Sequence, residues 1–562
     1  MKIFRKNQIK RVLKLFSIVG SVILSAILIG VACYPAPPIP PVRPTPEPQD
    51  WGYQFATFRI QMAVNPATEQ PFYNYLSRYD WRNATFTMEA SNGDYSFNDV
   101  GGRLRGRGNS TWNVSATTVP TTAQRTLIDA GQINPNFRNH WDSSRNPASA
   151  RMQKWPFRIR FDEPRSMLGS TSTSTDWSFI ANHSDYTQLR NESAKMLSRS
   201  LTGMDWQTRS RFVHVYWNGE YRGLYWMAEQ LEVSNYYNTR QQDRVTGRVP
   251  LRYDPDPAYS EYFIELDLRA DRLNTNVLAH HETDFRLSPE FQQAPREGVD
   301  YLRVGGRLYD IRFPDDTREA GIGRSGQSFE RRWNTPEHVN YLRRFITEVD
   351  NAIISRNWNR INQWIDINSF IDYYLVHEFF KNMDSGGLSV HKTIRGIGSE
   401  RRMHLGPIWD FDLSAGNTDP SPSWGSINQW NARGGYSHRG IWPGYINRWF
   451  RHLLGVPQFF RLAGERFAEI RDNQIQDMMD GILEFATENV MHFERNFIRW
   501  PNMLGQRTWA QSPEIVALGS GEGAWMRNVE HLINWFDLRR DWMSDWFEFG
   551  SGMDTLPLTF NR

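Results

Sequence analysis

Hydrophobic periodicity changes once along this chain, and the change restricts it to a β-rich part followed by a helical part. Between residues 51 and 230 apolar side chains recur at every second position: Phe58, Ile60, Met62 and Val64 in one run, then Ala84–Ala90, Phe157–Phe161 and Phe212–Tyr216. That spacing puts one face of a strand into a core. Asn218-Gly219, between Val213–Trp217 and Tyr221–Met227, is the dipeptide of a two-residue hairpin turn. One helix is expected in this part, Tyr186–Ser200, with Leu189, Ser193, Met196 and Leu197 on one face. From about Val339 the period becomes helical, over Val339–Asn357, Asn368–Asn382 and several aromatic-rich segments between Gly444 and Phe549. Residues 233–338, with Pro, Asp and Gly throughout, show no period and are expected to be irregular. The expected class is α+β, with a β-rich lobe over 51–232, a helical lobe over 233–550 and a tail over 551–562. A cleft between two such lobes is a common place for a small-molecule site.

The front of the chain is different in kind. Lys2, Arg5, Lys6, Lys10, Arg11 and Lys14 precede an apolar run from Leu15 to Cys33, the only cysteine. Residues 1–33 are therefore expected to be an export signal. Ile29-Gly30-Val31-Ala32-Cys33 resembles a bacterial lipoprotein signal, although Gly30 stands where Leu is usual. The alternative is an uncleaved anchor, since 19 apolar residues just span a bilayer. Residues 34–50, PAPPIPPVRPTPEPQD after Tyr34, form a semi-rigid polyproline linker. The net charge of +3 belongs to the leader: without its six cations, 59 basic residues face 62 acidic ones. No basic stripe remains, which argues against nucleic acid as a partner. A single cysteine excludes an internal disulfide framework and a cysteine-rich zinc site.

Chemistry concentrates in two acidic loops. Asp384, in Lys381-Asn382-Met383-Asp384, lies 26 and 28 residues before Asp410 and Asp412 of Trp409-Asp410-Phe411-Asp412. The strand-like Leu388–Ile394, the turn Gly396-Ile397-Gly398 and the extended Arg402–Ile408 form a hairpin that returns the chain to its start. If Asp410-Phe411-Asp412 is extended, alternation points both carboxylates to one side. Two such carboxylates repel unless a cation lies between them, and oxygen-only ligands suit Mg²⁺ or Mn²⁺. Phosphoryl transfer uses this arrangement; the alternative is that these residues cap turns. Arg105, Arg107, Asn109 and Ser110 of RGRGNSTW offer backbone N–H groups and charge to a phosphate, or else a hairpin turn. Lys154, Arg158 and Arg160 recur on one face of a strand, which either meets solvent or clamps a phosphate. Glu229 ends the Asn218–Gln230 hairpin near the boundary of the two parts. No H-E-x-x-H and no G-x-S-x-G occurs, so neither a zincin nor a serine hydrolase is expected.

The order of these motifs, with Met167-Leu168-Gly169, Asp176-Trp177, Ala181-Asn182, Leu189-Arg190-Asn191, Ile264-Glu265-Leu266-Asp267 and Trp409–Asn417, resembles the CotH kinase family over roughly residues 51–550. The resemblance implies an atypical, kinase-like two-lobed fold and an exported or surface protein kinase. It implies that Asp384 is the catalytic residue and that Asp410, with Asp412, holds Mg²⁺. It also implies that Arg105, Arg107, Asn109, Ser110 and the basic strand face ATP. Three departures stand out. Ser389 occupies the place of a metal-binding Asn, with Asn417 or Asp412 able to compensate. A segment of about 40 residues, Asn113–Gln153, separates the glycine-rich stretch from Lys154. Trp155 and Arg160 stand where Lys is frequent. Two functions are consistent with this reading: transfer of the ATP γ-phosphate to Ser or Thr of a surface or coat protein, with membrane attachment through Cys33, or a non-catalytic adhesion or envelope role on the same fold.

Overall fold

The period-two segments and the Asn218-Gly219 hairpin become β1 (Ala56–Met62), β2 (Arg82–Glu89), β4 (Phe157–Arg165), β6 (Ser210–Trp217) and β7 (Glu220–Glu229), joined by two strands that no period marked, β3 (Phe97–Gly106) and β5 (Ser174–Ile180). They close into a barrel in the order β1-β2-β3-β4-β5-β7-β6, sealed by the parallel pair β1 and β6. Alternation explains its filling. Phe58, Ile60, Phe86, Leu104, Phe157, Ile159 and Phe179 are fully buried and form one core, while the polar residues between them lie on the outer face. Asn218 and Gly219 turn β6 into β7 with φ of 48° and 80°, the paired positive angles of a type I′ hairpin. Period two announces β1, β2, β4 and β6 but not the closure, which rests on pairing the first strand with the sixth.

This computed structural model describes residues 55–63, 81–90, 96–107, 154–165, 167, 174–231, 251–266, 301–305, 307–314, 335–386, 389–417, 445–501, 503–505 and 513–549. The leader, the linker, Asn109, Ser110, the 113–153 segment and the tail over 551–562 lie outside them.

The second part holds a sheet of which the sequence announced only one hairpin. β8 (Tyr262–Leu266), β9 (Tyr301–Val304), β10 (Arg307–Phe313), β11 (Val390–Arg395) and β12 (Arg402–Leu405) pair in the order β12-β11-β8-β10-β9. Three of these come from residues 233–338, so that region is not irregular throughout. All five residues of β8, Tyr-Phe-Ile-Glu-Leu, are buried, and a strand covered on both faces carries no alternation to read.

The helices are α1 (Arg190–Ser200), α2 (Pro336–Ile354), α3 (Trp358–Trp364), α4 (Ile367–Phe379), α5 (Tyr445–Leu453), α6 (Pro457–Arg471), α7 (Gln474–Glu488), α8 (Val490–Arg499), α9 (Pro513–Leu518) and α10 (Ala524–Phe549); α2 packs on β9 and α3 and α4 on β12, whereas α8 packs on β7 of the barrel. Their starts follow capping chemistry. The Thr335 side chain accepts from the His338 amide with Pro336 in the first turn, and the Asp366 side chain accepts from Ser369. The hydrophobic cluster of this part also takes in Phe212, Leu224, Trp226 and Ala228 from the outer face of β6 and β7. Glu192 of α1 holds that junction: buried, it accepts from Trp226 Nε1 at 2.6 Å, Ser210 Oγ at 2.7 Å and Arg199 Nη1 at 3.1 Å. Among the described residues no helix is long and apolar enough to cross a membrane.

Candidate active site

The predicted hairpin forms. Lys392 pairs with Leu405 and Arg395 with Arg402, antiparallel, and Gly396 turns the chain with φ of 86°. Its base brings the two acidic loops together. One side chain joins them: Asn382 accepts the Asp384 amide on Oδ1 at 3.0 Å and donates from Nδ2 to the Asp410 carbonyl at 3.0 Å. The Ala415 amide adds a bond to the Phe380 carbonyl at 2.7 Å. Asp384 follows α4 in a single 3₁₀ turn, Met383–Gly386.

The geometry at Asp410 departs from the extended form. Its φ is 69°, so strand alternation is not what places its carboxyl beside that of Asp412. The carboxyls of Asp410, Asp384 and Asp185 stand close enough to act on that of Asp412. Burial first, and then the negative charges of Asp410, Asp384 and Asp185, hold the Asp412 carboxyl well above the usual carboxylate range. Of the ten non-glycine residues with positive φ among those described, six lie here: Asn182, Gln188, Lys381, Ser389, Asp410 and Ala415. Left-handed backbone costs free energy, and its concentration at one place marks a site whose shape is held by its surroundings.

Those surroundings are α1 and the turn before it. The Asn191 side chain accepts the Phe411 amide at 2.8 Å, between the two acids, and donates to Asn182 Oδ1 at 3.1 Å. Lys195 Nζ donates to the Ile408 carbonyl at 2.7 Å. Arg190 donates from Nε to the Ser414 carbonyl at 3.0 Å and from Nη2 to the Ala415 carbonyl at 3.2 Å. One helix therefore grips residues 408, 411, 414 and 415 of the acidic loop. Asp185 serves this grip rather than a ligand. Its carboxylate accepts from the amides of Thr187 and Arg190, each at 3.0 Å, from the Thr187 hydroxyl at 2.7 Å and from the Arg190 guanidinium.

The expected basic residues separate. Arg107, at the end of β3, stands over the Trp409 ring at 5.8 Å, beside Asp410 in sequence. Arg105 stands over Trp81 at 4.7 Å, and Arg103, Arg158 and Arg160 surround the same ring. Arg158 and Arg160 also share the buried Asp176, at 2.7 Å and 2.9 Å. Lys154 does not share their face, because β4 begins at Phe157, after Pro156. Fully buried, its ammonium donates to the Ala181 carbonyl at 2.8 Å and to Gln188 Oε1 at 3.2 Å, and burial pushes its pKa far down. Gln188 in turn donates to the Asn182 carbonyl at 2.8 Å, so Lys154, Gln188, Asn182 and Asn191 form a chain of bonds ending at the Phe411 amide. Glu229 ends β7, buried, 3.9 Å from Arg209. Ser389 is buried at the foot of β11 with φ of 54°, and among the described residues no hydrogen bond joins it to the carboxylates. Arg190, Asn191 and Asn182 were legible as motif letters, Ala181-Asn182 and Leu189-Arg190-Asn191, but only the fold shows what they hold.

The donor set fits a hard cation in kind: carboxylate and amide oxygens, with neither sulfur nor imidazole among them. Among the described residues, three or more His, Cys, Asp or Glu do not gather in metal-holding geometry. Carboxylates crowded at the base of a hairpin, beside a barrel whose β3 ends in an arginine over that loop, are the features of a kinase-like protein. The family model described as CotH kinase protein matches residues 137–543, and the chain belongs to the CotH kinase family. The match takes in α1, both acidic loops and the helices; β1–β3, with Arg105 and Arg107, precede it. No curated protein matches the chain.

Proposed function

We propose that the chain is an exported atypical protein kinase that transfers the γ-phosphate of ATP to Ser or Thr hydroxyls of a surface or coat protein, with Mg²⁺ or Mn²⁺. The observation that carries this reading is the joining of the Asp384 and Asp410 loops through Asn382. The separate hydrophobic cores of the barrel and of the helical part support a two-lobed arrangement with the nucleotide between them.

In this reading Asp410 and Asp412 hold the divalent cation, which neutralises phosphate charge when bound. Asp384 accepts the proton of the attacking hydroxyl as its oxygen bonds to the γ-phosphorus and the bond to the β-phosphate oxygen breaks, releasing ADP. Arg107 contributes positive charge at the phosphate end, and α1 keeps the Asp410–Asp412 loop in place through Asn191, Lys195 and Arg190. The leader exports the chain, and Cys33 tethers it through lipid.

Incubation of the purified chain with γ-labelled ATP, Mn²⁺ and an extracellular protein fraction tests the chemistry. Label stable to alkaline hydroxylamine and released as phosphoserine or phosphothreonine is expected, with thermal stabilisation by ATP that requires the cation. Neither label nor stabilisation would leave the non-catalytic adhesion or envelope role. For the tether, Cys33→Ser is expected to release the protein from the membrane fraction; unchanged fractionation without lipid mass on the wild type would favour an uncleaved anchor.

A further inference from the structure

Four asparagines border the acidic loops, and the oxygens of three are occupied. Asn382 Oδ1 accepts the Asp384 amide, Asn191 Oδ1 accepts the Phe411 amide and Asn182 Oδ1 accepts the Asn191 amide group. The fourth, Asn417, is different. It is fully buried, and its Nδ2 donates to the Ser184 carbonyl at 2.8 Å and to the Asp412 carbonyl at 2.7 Å. Both acceptors are carbonyl oxygens, so the orientation of the amide is fixed: nitrogen must face them, and Oδ1 faces elsewhere. That Oδ1 is buried without a hydrogen-bond partner. The backbone holds it there. Gly416, with φ of 79°, lies so close to Trp535 that an added Cβ would stand 2.8 Å from the indole, and the Asn417 amide donates to the Ser414 carbonyl at 2.9 Å.

A buried acceptor with no donor is rare in a folded protein and calls for an explanation. A cation supplies one, since it satisfies an oxygen without a proton. Resting on the phosphoryl-transfer reading above, we infer that Asn417 Oδ1 is a neutral oxygen ligand of the divalent cation held by Asp410 and Asp412, and that Ser389 is not a ligand. This adds one of the oxygens that two carboxylates leave short, because hard divalent cations take six or more. The amide also fits the charge of the site, adding an oxygen without a further negative charge beside carboxylates that already repel.

Mn²⁺ bound to the wild-type chain, with ¹³Cγ-labelled asparagine, tests the assignment by electron–nuclear double resonance. A ¹³C coupling of directly ligated size is expected in the wild type and in Ser389→Ala. A water-only explanation, in which an ordered water satisfies Oδ1, gives no such coupling and overturns the inference. Asn417→Cys replaces a hard oxygen by sulfur. It is expected to weaken Mn²⁺ binding about 10–100-fold, the range seen when groups around a metal are lost, and to bind Cd²⁺ more tightly than the wild type does, because thiolates select soft metals. Unchanged Mn²⁺ affinity in a folded Asn417→Cys overturns the inference but leaves the kinase reading. If that variant does not fold, the wild-type resonance decides. Absence of any ATP-enhanced Mn²⁺ binding in the wild type instead removes the kinase reading itself.

Discussion

The outer face of the barrel and the acidic loops both crowd like charges, and they treat them in opposite ways. On β3 and β4, Arg103, Arg105, Arg158 and Arg160 gather around Trp81, and two of them bind the buried Asp176. The cations are matched in advance, by a carboxylate and by the face of an indole. At the base of the β11–β12 hairpin, Asp410 and Asp412 lean on each other with Asp384 nearby, and among the described residues neither Asp410 nor Asp412 forms an ion pair. The backbone is regular strand in the first region and left-handed at several residues in the second. Charge in the first region is matched within the fold; in the second it is held together by bent backbone and by the bonds from α1, which suits the proposed cation.

The largest effect is expected at Asp176. Asp176→Ala leaves two guanidiniums, one of them buried, without their shared carboxylate. Losing one partner of a buried ion pair costs about 3–5 kcal/mol, read as a lower denaturation midpoint in guanidinium chloride. If stability is unchanged, Trp81 and solvent suffice and the barrel face is open to an anionic ligand. Next is Asp384→Asn, which keeps the shape and removes the base. Phosphoryl transfer is expected to fall by about two orders of magnitude or more, the range for losing a general base, while ATP-dependent thermal stabilisation stays. Equal activity in this variant would end the assigned role. Third is the grip of α1. Asn191→Leu removes the acceptor for the Phe411 amide, buried between the two acids, at about 1–3 kcal/mol, and is expected to raise the Mn²⁺ concentration needed for half-maximal stabilisation. Asn191→Asp, which keeps the acceptor for the Phe411 amide but loses the donor to Asn182, is expected to restore it in part. Loss of stability in both variants without a change in Mn²⁺ dependence would make Asn191 structural only.

How much of this was written in the sequence differs between the two regions for a physical reason. β1 and β2 bury one face, so alternation exposes them; β5 is buried along almost its whole length and no period marked it, and Asn218-Gly219 announces the β6–β7 hairpin. β8 buries both faces and stayed hidden. At the site, the hairpin between Asp384 and Asp410 was legible because strand, glycine turn and strand follow one another locally. The contribution of α1 was not, since Asn191 meets Phe411 across 220 residues and no local period records such a bond. The left-handed Asp410 was equally hidden: an aspartate tolerates that conformation but does not announce it. The basic strand misled through Lys154, whose spacing fits Arg158 although Pro156 intervenes and the strand starts only at Phe157.

The smallest effects distinguish the two regions by pH. Where the barrel meets α8, His214 Nε2 lies 2.8 Å from His492 Nδ1. Burial, and then the neighbouring His492, Arg495 and Lys154, lower the His214 pKa to about 3. At the end of α4, burial and then Arg539 lower the Lys381 pKa to about 7. In the unfolded chain these groups return to about 6.5 and 10.4. From about pH 3 to 6.5 the unfolded chain therefore binds the proton that folded His214 refuses, so stability rises with pH across that window and is lost on acidification. From about pH 7 to 10.4 the same holds for Lys381, and stability rises with pH there as well. Each contributes on the order of 1 kcal/mol per pH unit inside its own window. His214→Phe is thus expected to lower the slope of stability against pH below pH 6.5, a slope shared with His183, His377 and His391, and to leave the alkaline limb alone, whereas Lys381→Met lowers the slope above pH 7, shared with Lys392, and leaves the acid one. Scanning calorimetry at half-unit steps reads both slopes. If either variant moves both limbs together, the junction of the barrel with α8 and the end of α4 do not titrate independently, and the comparison between the two regions loses its electrostatic basis.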